Sequence, residues 1–569
     1  MKKRIIVIGG LSAGPSAAAK ARRTDENAEI VLFEKTRFVS YATCGIPYAL
    51  SGVINDREKL MIVEPDLLRN RFNIDVRLEE EVIEIVPENH EVITSKGSYR
   101  YDKLIFAAGA SSFVPPIVGL DAAQNWSNVR SIEDYDKIIR DGVLEDKKNI
   151  VVLGAGLIGV EVAENLNKVG KNVSVIEMAN SVLSVWDKKF GNMSQTVLEE
   201  KGVTVFTNAT LKSVKIVNDK IVGGVLGDGQ EVHIDYLLTG IGGRPNTGLL
   251  TSKGASALGN GALIVNERME TSLPDIYAAG DCASIKNIQT GEQDYFPMGT
   301  HSNKGGRTAG ANAAGGSETF KGAYKTAIVK VFDYTLGRTG HNATSLTKLN
   351  VDYSSIFFVA PATPGFYPDQ TDLYIEVWYS NTNKTILGAE IFGLNGVDKR
   401  IDVFSTAIYA KLTLEDLPNL DLAYAPPFST AKDPVVVAGF IGNNSNETGI
   451  SNISVQKLEK MIGDGTYIQL IDVRNEIELE KEGVIEGAIN VPLEKLRNRL
   501  ASLDASLPTV VYCARGLRGY VASTILNNNG FGELLNLGGG FKGWLAQGGK
   551  VDVYNQNESW EEVLVETES

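Results

Sequence analysis

Twice in this chain an apolar strand runs into a glycine-rich turn, a helix and a second strand that ends on a glutamate. The fuller instance is Ile150-Val151-Val152-Leu153 followed by Gly154-Ala155-Gly156-Leu157-Ile158-Gly159. A helix is predicted over 160–169 and a strand over 173–176, ending at Glu177. The first glycine permits a tight turn, the second lets a pyrophosphate approach the backbone, and the third lets helix and strand close together. A carboxylate at the end of the second strand suits a ribose 2′-hydroxyl, which favours NADH over NADPH. Lys171, Lys188 and Lys189 are nearby charges able to accept a 2′-phosphate instead. The earlier instance joins Ile5–Ile8 to Gly9-Gly10-Leu11-Ser12-Ala13-Gly14. Gly9 and Gly14 hold the first and third positions, and Leu11 replaces the second glycine. Its next strand, 29–33, ends at Glu34, the expected spacing of about 20 residues. The fold class expected is α/β, with two nucleotide-binding three-layer domains and two dinucleotides on either side of a redox reaction.

Composition narrows the setting. The 569 residues suggest about four domains. A net charge of −14 argues against nucleic acid as the main partner, yet leaves room for a local basic pocket. Three cysteines cannot form a disulfide framework, which points to a reducing, cytoplasmic setting. No CxxC occurs and the four histidines are scattered, so no metal site is expected. Met1-Lys2-Lys3-Arg4 before Ile5–Ile8 superficially mimics a signal peptide, but the apolar run is too short and leads into glycines. Nothing approaches the roughly 18 apolar residues of a membrane span.

One of the three cysteines, Cys44, lies in Val39-Ser40-Tyr41-Ala42-Thr43-Cys44-Gly45-Ile46-Pro47-Tyr48. Pro47 is tolerable in the first turn of a helix, so 46–50 is predicted helical with Cys44 at its N-terminal end. The partial positive charge there favours a thiolate. Leu104-Ile105-Phe106-Ala107-Ala108-Gly109-Ala110 and 237–245 each read as a strand leaving a nucleotide domain. Later, Ile276-Tyr277-Ala278-Ala279-Gly280-Asp281 is a short strand whose Gly-Asp end is expected to open a helix-like segment. An Asp there can bond a flavin's ribityl chain.

The order of first fingerprint, second fingerprint and Gly-Asp resembles the two-dinucleotide flavoprotein disulfide reductase family over about residues 1–440. The resemblance implies FAD on Gly9, Gly14, Glu34, Ala108, Gly280 and Asp281. It implies NADH or NADPH on Gly154, Gly156, Gly159 and Glu177. Dithiol members use CxxxxC and a C-terminal His-Glu pair; here Cys44 stands alone and no histidine follows His341. The chain therefore resembles the single-cysteine branch of NADH peroxidases, NADH oxidases and coenzyme A disulfide reductases. Peroxidases and oxidases carry a histidine in the first glycine loop, and this loop has none.

Pro364-Gly365-Phe366-Tyr367-Pro368 and Leu422-Ala423-Tyr424-Ala425-Pro426-Pro427-Phe428-Ser429 match the coenzyme A disulfide reductase pattern. The resemblance implies that Tyr367 and Tyr424 reach into the partner subunit's site of a homodimer and bond the substrate sulfur. It places coenzyme A contacts at Lys20, Arg23, Ser40, Thr43, Arg71, Asn303 and Lys304. Thr43 stands where the family often has Asn, and Tyr41 where it has Phe. Cys282 is expected to be a packing residue, and His301 a neutral, hydrogen-bonded side chain near the flavin or the dimer interface.

Beyond a mixed α/β segment at 325–441, residues 442–451 read as a polar linker. Then Ile468–Arg474 is a strand ending in Asp-Val-Arg, and Thr509-Val510-Val511-Tyr512 is a buried strand feeding Cys513-Ala514-Arg515-Gly516-Leu517-Arg518-Gly519. A strand-to-helix loop presents backbone N–H groups to whatever sits on the sulfur. Arg515 and Arg518 add positive charge, which favours a Cys513 thiolate and suits a bound persulfide. With Gly538-Gly539-Gly540-Phe541-Lys542-Gly543-Trp544, these features are similar to a rhodanese domain, with Val484 in place of its usual histidine.

The domains expected are FAD-binding at 1–115 and 248–324, NAD(P)H-binding at 116–247, dimerisation at 325–441, rhodanese at 452–560 and an acidic tail at 561–569. The activity implied is NAD(P)H-dependent reduction of coenzyme A persulfide, coenzyme A disulfide or polysulfide through FAD and Cys44. Cys513, Arg515, Gly516 and Arg518 would handle sulfane sulfur. The alternatives are an NADH oxidase or peroxidase with a Cys44 sulfenic acid, and a redox-sensing scaffold with a docking rhodanese domain.

Overall fold

A run such as Ile5-Ile6-Val7-Ile8, apolar at every position, can only be a strand covered on both faces. The computed structural model, which describes residues 2–554, places it at the centre of a five-stranded sheet. Across that sheet run Ile276–Ala278, Lys103–Phe106, Arg4–Ile8, Glu29–Phe33 and Asp75–Arg77, all parallel. The second fingerprint builds the same arrangement: Thr204–Phe206, Asn172–Ile176, Asn149–Leu153, Tyr236–Thr239 and Trp126–Asn128, again all parallel. Because 276–278 returns to pair with 103–106, the first domain is discontinuous in sequence.

The chain divides into two units: residues up to Val185 together with Val197–Lys325, and Trp186–Thr196 together with the residues from Thr326 onward. In the first unit, helix Ala13–Thr24 lies directly on helix Gly299–Ala313. A Cβ on Gly306 would come within 2.3 Å of the Ala13 carbonyl oxygen, and one on Gly310 within 2.1 Å of that of Ala17. The helices thus meet backbone to backbone, which only small residues permit.

The second unit opens on an antiparallel sheet ordered Ala327–Val331, Tyr334–Gly340, Ile386–Gly393, Asp372–Ser380 and Tyr353–Pro361. Helix Val397–Tyr409 covers one face, with Ile401 and Val397 against Gly337. On the opposite face of the sheet lies a buried polar cluster. Glu390, 1% exposed, accepts from the Asp187 N–H at 2.7 Å and from Asn342 Nδ2 at 3.0 Å, with Arg338 Nη1 3.9 Å away. Burial raises its carboxyl to about 7 and lowers the Arg338 guanidinium, which stays charged.

The expected polar linker differs in the structure. Residues 442–448 are the last turns of helix Pro434–Thr448, closed by Gly449. Gly442, read as a loop former, packs against Leu414, as Gly439 one turn earlier packs against Pro418. The rhodanese-like segment follows as a parallel sheet ordered Ser451–Ile453, Leu534–Leu537, Thr509–Tyr512, Gln469–Asp472 and Ile489–Asn490. Its glycine run seats on Phe357 of strand Tyr353–Pro361: Cβ atoms on Gly539 and Gly543 would fall 2.6 and 2.9 Å from the ring. The expected acidic tail, 561–569, and residues 555–560 of the expected rhodanese range lie outside the described residues.

Candidate active site

Both glycine turns have the shape a dinucleotide needs. Gly9 and Gly154 take φ of 102° and 93°. Gly9 lies so close to the Ala107 carbonyl oxygen that a Cβ would sit 2.2 Å from it, beside Ala108. A Cβ on Gly14 would strike the Gly9 carbonyl oxygen at 1.8 Å, and one on Gly159 that of Gly154 at 1.9 Å. Gly156 is different: nothing lies within 4 Å of its Cβ position, so the protein's own packing does not require glycine there. That open cradle fits a pyrophosphate pressed against the backbone. Glu34 is held at its turn by the N–H groups of Gly10 and Thr36, both at 2.8 Å, and Glu177 by those of Ala155 and Ala179, at 2.7 and 2.8 Å. These residues fit FAD and NAD(P)H.

Gly280 and Asp281 form a turn rather than the expected helix-like start, because residues 285–286 pair back with 293–294 as a small hairpin. The Asp281 carboxylate accepts from Arg130 Nη2 at 2.8 Å and Ser302 Oγ at 3.3 Å. Arg130 was not legible as a site residue, since 151 positions separate it from Asp281. Cys282 is fully buried, its Sγ turned to the carbonyls of Ala279 and Phe106 at 3.3 and 3.5 Å. Burial pushes that thiol up to about 12, so it packs and does not ionise near neutral pH. His301 is buried between Phe296 and Phe320, its Nδ1 3.3 Å from the Phe296 carbonyl oxygen, and burial lowers its basicity.

Cys44 is exposed and lies in a 3₁₀ turn, Thr43–Gly45, just before helix Ile46–Leu50. The predicted helix is there, but the cysteine precedes it by a turn of its own, and five residues carry little macrodipole. Gly45 is required because a Cβ would meet Leu60 at 2.7 Å. Ser40, at φ 46°, turns the chain toward this segment, and its N–H donates to the Gly10 carbonyl at 2.8 Å. Past Pro47, at Tyr48 and Ser51, the segment reaches the helix that leaves the second glycine turn. Tyr48 Oη donates to Glu161 Oε1 at 2.9 Å, and Ser51 Oγ to Asn165 Oδ1 at 2.6 Å. Burial and Glu161 hold the Tyr48 phenol well above its usual range, and burial raises the Glu161 carboxyl.

The residues expected to meet coenzyme A fall into two groups. Lys20 and Arg23 lie on helix Ala13–Thr24, and Asn303 and Lys304 on helix Gly299–Ala313, the two helices that meet backbone to backbone. Ser16 Oγ donates to Asn303 Oδ1 at 2.6 Å, while Lys20 Nζ pairs with Glu318 at 2.7 Å. Ser40 and Thr43 flank Cys44, and Arg71 is exposed at the end of helix Pro65–Phe72.

In the second unit Tyr367 lies in the loop between Tyr353–Pro361 and Asp372–Ser380, its N–H donating to the Pro364 carbonyl at 2.9 Å. Tyr424 is 49% exposed. One buried side chain ties their two segments together. Arg400, 1% exposed, donates to the Ala362 carbonyl at 3.2 Å and to Ser429 Oγ at 2.9 Å, and pairs with Asp433 at 3.1 Å.

Cys513 is 2% exposed, and the Gly516 N–H donates to its sulfur at 3.1 Å. Both loop arginines, expected to offer free charge, are already paired. Arg518 is bidentate to Glu478 at 2.7 and 2.6 Å, which keeps its guanidinium firmly charged. Arg515 Nη2 meets Asp372 Oδ1 at 2.8 Å. The Asp-Val-Arg signature is a buried brace: Arg474 grips Asp472 and the Gly483 carbonyl and stacks 3.7 Å over the Phe541 ring.

Among the described residues no cluster suits a metal ion, and no helix is long and apolar enough to cross a membrane. Residues 3–294 match the pyridine nucleotide-disulphide oxidoreductase family, 326–434 the dimerisation domain of the same family, and 454–547 the rhodanese-like domain. A Methanocaldococcus jannaschii protein named NADH oxidase is 33% identical over 76% of this chain and 97% of its own length. A Pyrococcus horikoshii protein named NAD(P)H coenzyme A polysulfide/persulfide reductase is 34% identical over 77% and 98%. The crystal structure of reduced Bacillus anthracis CoADR-RHD superposes with a TM-score of 0.91 at 34% identity, covering 96% of this chain and 98% of that one. Two fingerprinted nucleotide domains, a single exposed cysteine and a rhodanese-type loop thus make the chain a member of the pyridine nucleotide-disulphide oxidoreductase family, extended by a rhodanese-like domain.

Proposed function

We propose that this protein uses NAD(P)H to reduce coenzyme A persulfide, coenzyme A disulfide or polysulfide through FAD and Cys44, with Cys513 carrying sulfane sulfur. The observation that carries the reading is the isolation of Cys44. It is exposed, and the other cysteine of its unit, Cys282, is sealed in the core. The redox pair must therefore be completed by a thiol that arrives with the substrate. Coenzyme A is the thiol named for the P. horikoshii relative.

When bound beside Gly9, Gly14 and Glu34, FAD would supply the two-electron chemistry that connects the nicotinamide to sulfur. Glu34 and Glu177 orient the two riboses, and Asp281 with Arg130 holds the ribityl side. The Cys44 thiolate attacks coenzyme A disulfide, forming a Cys44–coenzyme A disulfide and releasing one coenzyme A thiolate. Two electrons then cleave that bond and return Cys44 and coenzyme A as thiolates. A persulfide attacked at its outer sulfur instead leaves that sulfur on Cys44 and releases coenzyme A thiolate; reduction then frees it as hydrosulfide. Tyr367 and Tyr424, contributed across a homodimer, donate to the departing thiolate through their phenolic O–H groups. Lys20, Arg23, Ser40, Thr43, Arg71, Asn303 and Lys304 hold the phosphorylated portion of coenzyme A.

The mass of the unreduced protein tests this. An adduct of coenzyme A mass on Cys44, together with faster NAD(P)H turnover on coenzyme A persulfide than on oxygen or peroxide, is expected. Fast turnover on oxygen with none on coenzyme A species would instead establish an oxidase, the activity named for the M. jannaschii relative.

A further inference from the structure

Asp372 opens a strand of the dimerisation sheet at the foot of the Tyr367 loop, yet its carboxylate is engaged with the rhodanese-like segment. Oδ1 accepts from Arg515 Nη2 at 2.8 Å, and Oδ2 pairs with Lys542 Nζ. Gln370, two residues upstream, donates to Asp372 Oδ1 at 3.2 Å and accepts from Arg515 at 3.4 Å. The Asp372 side chain is 12% exposed. Its two cations come from the two segments that shape the Cys513 loop. Arg515 belongs to the loop. Lys542 belongs to helix Gly540–Ala546, whose N–H groups at Phe541 and Lys542 donate to the Cys513 and Ala514 carbonyls at 2.7 and 3.0 Å. One carboxylate in a different domain therefore fixes both the loop and its support.

The same contact changes what the loop can bind. An arginine beside a sulfur-transfer cysteine offers a full positive charge to an anionic donor. Here Asp372 offsets part of the charge of Arg515, which it shares with Lys542, and Glu478 meets that of Arg518. A dianion gains about twice as much as a monoanion from an uncompensated cation, so compensation penalises the dianion more.

We propose that Asp372 is a positioning and donor-selecting residue for Cys513: by holding Arg515 and offsetting its charge in part it tunes the loop to monoanionic persulfides over dianionic thiosulfate. This rests on the reading of Cys513 as the sulfur carrier. With a persulfide, the Cys513 thiolate attacks the outer sulfur; a Cys513–sulfur bond forms, the donor S–S bond breaks, and its electron pair leaves on the donor thiolate. With thiosulfate, the same attack on the outer sulfur expels sulfite with that pair.

The test uses the full-length FAD-loaded enzyme and follows the gain of one sulfur atom on the Cys513 peptide by mass spectrometry. Thiosulfate, a dianion, and the persulfide of 2-mercaptoethanol, a monoanion once its outer sulfur ionises, serve as donors. Asp372→Asn raises the thiosulfate-to-persulfide ratio of loading rates by about tenfold, the order of one charge contact near the surface. Asp372→Glu restores the original ratio. Arg515→Gln, which leaves Asp372 in place, moves the ratio the opposite way and keeps the proposal testable if Asp372→Asn does not fold. An unchanged ratio in the folded variants overturns the proposal. Loading that persists in Cys513→Ser overturns the carrier reading instead.

Discussion

The Tyr48 hydroxyl donates to Glu161 Oε1 at 2.9 Å, joining the helix that follows Cys44 to the helix that leaves the second glycine turn. With the Ser51–Asn165 bond, it links the segment bearing Cys44 to the domain of the second glycine turn through two hydrogen bonds between partly buried groups.

Tyr48→Phe removes the only donor that Tyr48 supplies to Glu161, whose carboxyl is already raised by burial. A folded-state pKa above the unfolded value adds stability at low pH and loses it as pH rises through the folded pKa. Removing the donor raises that pKa further. The variant is therefore expected to lose about 1–3 kcal/mol at alkaline pH and distinctly less in mild acid, where a protonated Glu161 needs no donor. Thermal midpoints of both proteins across pH provide the check; an equal loss at every pH would rule out this role for Glu161.

Glu390 gives a second pH signature, in the other unit. Its carboxyl is raised to about 7 by burial. The stability it contributes is complete below the unfolded value of about 4.3 and falls away as pH climbs through about 7. Glu390→Gln, neutral throughout, should flatten this part of the stability profile. Denaturant midpoints measured from mild acid to mild alkali should converge at low pH and separate at high pH.

Gly310→Ala places a methyl group 2.1 Å from the Ala17 carbonyl oxygen, where only backbone movement can relieve it. Overpacking of this kind costs about 1–3 kcal/mol. Because the same helix pair carries the proposed coenzyme A contacts and sets Ser16 against Asn303, KM for coenzyme A disulfide should rise more than kcat falls. A lower melting temperature with an unchanged KM would separate the helix contact from substrate binding.

What could be read in the sequence was whatever is written locally. The glycine turns, their terminal acids, the buried strands and the Cys513 loop each span a few consecutive residues with a fixed period or spacing. What escaped depends on partners far along the chain. Arg130 meets Asp281, Glu161 meets Tyr48, and Arg400 joins Ala362 to Asp433, none of which has a short-range signature. Residues 442–448 misled for the same reason: Gly, Asn and Ser mark a loop by composition, but Leu414 and Pro418 supply a surface against which a helix of small residues closes. The loop arginines were legible as charges, and the carboxylates that compensate them were not.

The seat of the glycine run on Phe357 bears on how freely this chain could exchange parts. A rhodanese module brought in from elsewhere, with a side chain where Gly539 or Gly543 stands, would retain its own sulfur chemistry. It would meet an aromatic ring that no rotamer of the newcomer avoids, and Asp372 would face no matching cations. Fusion in this protein is therefore a fitted joint rather than a tether, and its two parts are interchangeable only as a pair.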